Sequence, residues 1–292
     1  MMLELTDMLI IRTLAKRHDF SFSKGLGQNF LIDPEVCPAI AEYGIPSPEC
    51  GVLEIGTGFG VLTQQLAMKS EQIVAVELDR RLKPVLNETL ADFKNIRVVW
   101  QDIMKVDLRE FIAEHFDQRE VAICANLPYY ITSPILMHLL ESDVKLKSIT
   151  VMVQKEAAER LCADIGSRSA GAVTAAVQLR GTAEQLFEVP RDSFYPAPKV
   201  DSAVIRITPY ETPICPAEQL AKVLKVVKAG FAQRRKTAVN ALSAGLSLSK
   251  EQVMTALSAC GQKETVRFEQ LDRETLLRLT DALSVAAGKE SL

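Results

Sequence analysis

The chain has 292 residues, of which 48 % are hydrophobic and 24 % charged. That balance belongs to a soluble globular protein and excludes a disordered chain, a collagen and a coiled coil. The formal net charge is −3, but residues 1–211 hold 22 Lys and Arg against 29 Asp and Glu, whereas residues 212–292 hold 12 against 8. The C-terminal stretch is net basic and reads either as an anion-facing region or as chance variation over a short segment.

At the N-terminus the one apolar run, Met8 to Ile11, follows Glu4 and Asp7, where an export signal would be positive. No run approaches the roughly 18–20 apolar residues of a membrane span. The expectation is a cytoplasmic protein with no membrane partner. The six cysteines (37, 50, 124, 162, 215 and 260) have no two within four residues of each other, and His18, His115 and His138 are scattered. They read as reduced thiols and isolated histidines, so no metal is expected.

From residue 51 the chain alternates. Residues 51–55 form an apolar run that ends in glycines and predict a strand; residues 61–69 have helical spacing. A strand is predicted over 73–77, a helix over 80–90, and strands over 96–100 and 121–125. A helix is expected after Pro134, a strand over 148–153 and a helix over 155–162. Residues 173–179 and 203–207 are read as two more strands. This rhythm predicts an α/β fold with a mostly parallel sheet covered on both faces. Two prolines in Tyr210–Pro216 break it, and everything beyond looks helical, with Leu220, Val223, Leu224 and Val227 at i, i+3, i+4 and i+7. The predicted domains are therefore 1–210, opening on an N-terminal helical segment, and 211–292.

The first strand ends in Gly56-Thr57-Gly58-Phe59-Gly60. Such glycines permit a tight structural turn, or a turn that a ligand approaches closely. Val61 stands where the dinucleotide fingerprint G-x-G-x-x-G needs its third glycine, and no Gly-Lys-Ser/Thr follows as a P-loop requires. G-x-G-x-G suits S-adenosylmethionine, which has no pyrophosphate to cradle. Glu77, at the end of the second strand, is placed to accept from both ribose hydroxyls, and Asp102, after the third, from an adenine amine. Each acid alone is more often a solvated strand end. Together they line the sheet edge where open α/β sheets bind ligands.

The fourth strand ends in Asn126-Leu127-Pro128-Tyr129. An exocyclic adenine amine is a poor nucleophile because its lone pair is delocalised into the ring. Two acceptors on its N–H groups, the Asn126 side-chain oxygen and the Leu127 carbonyl, favour a pyramidal nitrogen. Pro128 fixes the backbone, and Tyr129 offers a face on which a base taken from its helix can stack. The plain alternative is a proline turn after a strand.

These motifs resemble those of the small-subunit ribosomal RNA adenine dimethyltransferases, within the rRNA adenine N6-methyltransferase family. The resemblance runs through Lys24–Leu31, the glycine loop, Val76–Asp79, Gln101-Asp102, Asn126–Tyr129, Val153–Glu156, Phe194–Val204 and Phe231–Thr237. It implies a Rossmann-like, class I S-adenosylmethionine-dependent methyltransferase sheet with a smaller all-helical C-terminal domain. It also implies conversion of two adjacent adenosines to N6,N6-dimethyladenosine on the immature 30S subunit; the expected oligomeric state, which the resemblance does not give, is a monomer. By the same resemblance Gln28, Asn29, Leu31, Gly56, Gly58, Glu77, Asp102 and Asn126 bind the methyl donor. Asn126, Leu127, Pro128 and Tyr129 handle the base, with Phe194 on its other face or simply in the core. Arg234, Arg235 and Lys236 contact rRNA, or else form a solvated helix face. Thr57 replaces the Pro usual in that family, and 166–173 lacks its aromatic-Gly pair.

Three rival readings remain. The large-subunit adenine methyltransferases of macrolide resistance share fold and cofactor, but Gly27 before Gln28-Asn29, Leu127 and the acidic balance lean away from them. An assembly checkpoint factor, in which binding outweighs methylation, is compatible with the enzyme reading in one protein, but a pure binding protein has no reason to keep both Asn126 and Tyr129. Val61 disfavours a nicotinamide dehydrogenase.

Overall fold

The computed structural model describes residues 3–21 and 29–288 and divides the chain into two units. The first comprises Met1–Ala158 and Glu184–Pro209, the second Glu159–Ala183 and Tyr210–Leu292. In chain order the elements are α1 (Met8–Arg17), β1 (Phe30–Leu31), α2 (Val36–Gly44), β2 (Gly51–Ile55), α3 (Val61–Ala67), β3 (Ile73–Glu77), α4 (Lys83–Thr89), β4 (Ile96–Trp100), α5 (Leu108–Phe116), β5 (Val121–Asn126), α6 (Thr132–Glu141) and β6 (Leu146–Gln154). There follow α7 (Lys155–Leu161), α8 (Ala172–Arg180), β7 (Gly181–Val189), β8 (Phe194–Tyr195), β9 (Ser202–Pro209), α9 (Ala217–Phe231), α10 (Ala238–Leu246), α11 (Lys250–Ala259) and α12 (Arg273–Ala286).

The first unit is built on a seven-stranded sheet of order β4-β3-β2-β5-β6-β9-β7. β2 to β6 pair in parallel, and β9 runs antiparallel to β6. The central strands are apolar runs because helices cover both faces: every residue of β2 and β3 is buried. One face carries a cluster of Ile40, Val52, Leu62 and Leu66 with Cys37 and Cys124. Another cluster joins Ile11 and Leu14 of α1 to Phe59, Leu82, Val85 and Leu86. The chain leaves β2 toward β3 and β4 on one side, then returns to β5 and β6 on the other. That reversal opens a crevice at the carboxyl ends of β2 and β5, where parallel sheets bind ligands.

One sequence expectation fails here. Residues 173–179 are not a strand but most of α8, whose residues 173–177 and Leu179 are buried. A short, mostly apolar run looks the same for a buried helix and a buried strand. The division into units has a break between Pro209 and Tyr210, beside the predicted 210/211, and it also groups 159–183 with the C-terminal helices. Within that unit α9 packs on α8, α10 and α12, and α11 on α10 and α12.

Candidate active site

The glycine loop leaves β2 with Gly56, Gly58 and Gly60 at φ of +79, +54 and +91°. That left-handed region costs other residues about 1–2 kcal/mol through their Cβ. The surroundings of the first and last of these differ. A Cβ on Gly60 would stand 2.9 Å from Leu90 Cδ2, so this glycine serves the packing against the end of α4. A Cβ on Gly56 would meet nothing within 4 Å, because the backbone there borders the crevice.

Glu77, at the end of β3, is buried and heavily used. Its Oε2 accepts from both the backbone N–H and the hydroxyl of Thr57, each at 2.9 Å, and its Oε1 accepts from Asp79 N at 2.8 Å. A proline at position 57 would have neither donor. Thr57 thus ties the loop to the carboxylate. A carboxylate offers about four acceptor positions, so one remains for a ligand hydroxyl. A second opens if the Thr57 hydroxyl turns to Gly58 O, 3.5 Å away.

Asp102 follows β4 and caps a short 3-10 turn, its Oδ1 accepting from Met104 N at 3.0 Å. Its Oδ2 accepts from no described residue. Asn126 closes β5 opposite Met152 of β6, and Leu127 N donates to Met152 O at 3.2 Å. The Pro128 carbonyl accepts from Ile131 N and from the Thr132 hydroxyl, both at 3.1 Å, which starts α6. The tetrapeptide is therefore pinned on both sides. Both Asn126 and Leu127 line the crevice, yet the Asn126 amide and the Leu127 carbonyl make no hydrogen bond with a described residue. The half-buried Tyr129 shares a 2.5 Å hydrogen bond between its hydroxyl and Ser202 Oγ. Burial pushes its phenol above the ordinary pKa, the Ser202 bond opposing this and Asp201 adding to it. Tyr129 is consequently a neutral ring on a tether, not a base.

The opposite wall comes from β1 and β8, paired antiparallel with Leu31 opposite Phe194. Phe194 is 3 % exposed and packs in the same apolar cluster as Leu31 and Cys37, while also lining the crevice. Asn29 lines it too. The structure thus brings together Asn29, Leu31, Gly56, Gly58, Glu77, Asp102, Asn126–Tyr129 and Phe194. Gln28 lies outside the described residues. Arg234, Arg235 and Lys236 follow α9 in the helical unit, all exposed.

Among the lining residues that sequence reasoning did not single out are Ile103, Leu78 and Tyr130. Ile103 carries no chemical signature. The other two are 53 % and 58 % exposed, unusual for large apolar side chains, but exposure is not legible in a sequence. Behind the loop, Glu54 of β2 is fully buried, and neither carboxylate oxygen has a hydrogen-bond partner. Burial pushes its pKa up to about 8, opposed by the nearby Thr63 hydroxyl and reinforced by Glu77. Among the described residues no three His, Cys, Asp or Glu side chains group to hold a metal, and no helix is long and apolar enough to cross a membrane.

A family model described as ribosomal RNA adenine dimethylase matches residues 19–284. The chain belongs to the ribosomal RNA adenine dimethylase family. It is 44 % identical over 270 residues to the ribosomal RNA small subunit methyltransferase A of Alkaliphilus metalliredigens, covering 92 % of this chain and 94 % of that one. It is 41 % identical over 285 residues to the protein of the same name from Streptococcus gordonii, covering 96 % and 98 %. Among solved structures it is similar to the 23S rRNA methyltransferase ErmE, with TM-score 0.63, 28 % identity, and 88 % and 100 % of the chains covered. A dimethyladenosine transferase from Plasmodium falciparum shares the fold of this dimethylase with TM-score 0.68 at 23 % identity, over 88 % and 98 % of the chains.

Proposed function

We propose that this dimethylase transfers methyl groups from S-adenosylmethionine to the N6 amines of two adjacent adenosines in small-subunit rRNA, during cytoplasmic maturation of the 30S subunit. The observation that carries the reading is the pair of unsatisfied acceptors, the Asn126 amide oxygen and the Leu127 carbonyl, at the end of β5 beside an open glycine loop. The donor fits the residues present. The Gly56 backbone leaves room at the crevice wall, Glu77 keeps an acceptor for a ribose hydroxyl, and Asp102 Oδ2 is available to an adenine amine. When bound, S-adenosylmethionine supplies an already activated sulfonium methyl, so positioning carries much of the catalysis.

In the first transfer Asn126 and Leu127 accept hydrogen bonds from the two amine N–H groups and turn the nitrogen lone pair toward the reacting carbon; in the second, the one remaining N–H donates to one of them. Pro128 and the Met152 bond hold those acceptors still. Tyr129 stacks on the base, its hydroxyl fixed by Ser202. Phe194 closes the other face. The methylated amine is a strong acid and releases its proton to water without a general base.

Two features favour the small subunit over the large. The relatives at 41–44 % identity over nearly their whole length are named as small-subunit enzymes, and the large-subunit structure is 28 % identical. Asn126→Ala is the test of mechanism. It is expected to abolish methyl transfer and leave binding of undermethylated small subunits intact. Retained transfer overturns the acceptor roles.

A further inference from the structure

The stretch 166–173, which departs from the related family's pattern, is fastened into the helical unit by specific bonds. Gln178 of α8 grips the segment before it twice: its Nε2 donates to Ala163 O at 2.8 Å and its Oε1 accepts from Ile165 N at 3.3 Å. Ser167 N donates to Asp164 O and Ala170 N to Ser167 O, both at 3.1 Å. At the far end the Thr174 hydroxyl accepts from Gly171 N at 2.9 Å and donates to Arg160 O at 2.7 Å. The loop so held exposes Arg168, whose carbonyl accepts from Arg234 Nη2 at 2.9 Å.

This bond changes the reading of the basic cluster after α9. One of the five guanidinium donors of Arg234 goes to the loop rather than outward. Arg168, Arg235 and Lys236 are exposed, and none pairs with a described carboxylate. Some exposed cations elsewhere do pair, such as Arg109 with Asp143 and Arg119 with Glu71, while others such as Lys94 and Arg97 do not. Unpaired cations gathered on one surface repel one another, and a polyanion relieves that repulsion.

We propose that Arg168 contacts the phosphate backbone of the RNA substrate, and that Arg234 is a positioning residue that holds the Arg168 loop beside Arg235 and Lys236. The inference rests on the rRNA reading above.

The test is binding to undermethylated small subunits across a salt series. Arg168→Gln is expected to bind about five-fold more weakly at 0.15 M salt, with the log–log slope shallower by about 0.7–0.9, the loss of one phosphate contact. Arg168→Lys keeps the charge and is expected to keep the slope. In an Arg234→Gln background, adding Arg168→Gln is expected to cost less than it does alone, because the loop is already released. A wild-type slope for Arg168→Gln overturns the contact. An equal loss in Arg168→Lys overturns it too, by tracing the effect to loop structure rather than charge. Full additivity overturns the positioning role of Arg234. Wild-type protein that neither binds nor methylates the particles overturns the rRNA reading itself, a separate failure.

Discussion

Glu77→Gln separates the two jobs that Glu77 performs. In the native site its oxygens accept three hydrogen bonds, from Thr57 N and Oγ1 at 2.9 Å and from Asp79 N at 2.8 Å. Glutamine keeps one acceptor oxygen and puts an NH2 in place of the other. If that oxygen faces Thr57, the new donor meets the Asp79 N–H, and a buried donor is left unpaired. Hydrogen bonds to a charged group are worth about 1.5–3 kcal/mol. The variant should lose about that much stability in urea unfolding. The same charge is the acceptor offered to the methyl donor's ribose, so Kd for S-adenosylmethionine by calorimetry should rise about ten- to hundred-fold. Lost stability with unchanged affinity makes Glu77 a loop strut only and refutes the ribose assignment. No change in either quantity refutes the hydrogen-bond reasoning altogether.

Thr57→Val removes one donor but no charge, so it should cost about 1 kcal/mol of stability while leaving cofactor affinity unchanged or tighter; a ten-fold loss by calorimetry contradicts the proposed competition for Glu77. Glu54 has a folded pKa of about 8 against an ordinary 4.5. The native state therefore holds a proton that the unfolded state has lost, and stability falls as pH rises between those values, by up to about 1.4 kcal/mol per pH unit. Glu54→Gln should abolish that slope in urea unfolding at pH 5 to 9, whereas parallel curves for the two proteins refute it. Gly60→Ala and Gly56→Ala both carry the backbone strain of positive φ, but Gly60→Ala also meets Leu90 at 2.9 Å and should lower Tm more, whereas Gly56→Ala meets nothing within 4 Å and should be the one that weakens cofactor binding. The reverse order of effects would reassign the two glycines.

Much of the sheet is legible in the chain because parallel strands buried on both faces become largely apolar runs, as in residues 51–55 and 73–77, broken only by Glu54 and ended by Glu77. The glycine loop and Asn126–Tyr129 are legible for a different reason: positive φ and a rigid turn admit few residue types. What the sequence hides is long-range. Residues 173–179 satisfy strand and helix patterns equally, and their flanking Gly171 and Gly181 are the one local hint of a helix. The assignment of 159–183 to the helical unit depends on packing against α9 and α12, distant in sequence. The tie between Arg234 and Arg168 likewise spans 66 positions and leaves no local pattern. Thr57 reads in the sequence as a departure from the family's usual residue; only the structure gives it a partner in Glu77.

The central claim is tested most directly by methyl transfer from labelled S-adenosylmethionine to undermethylated small subunits, with large subunits in parallel and the product identified by nucleoside mass spectrometry. The account predicts N6,N6-dimethyladenosine in small-subunit RNA alone. Label confined to large-subunit RNA, or none at all while the cofactor still binds, would contradict it.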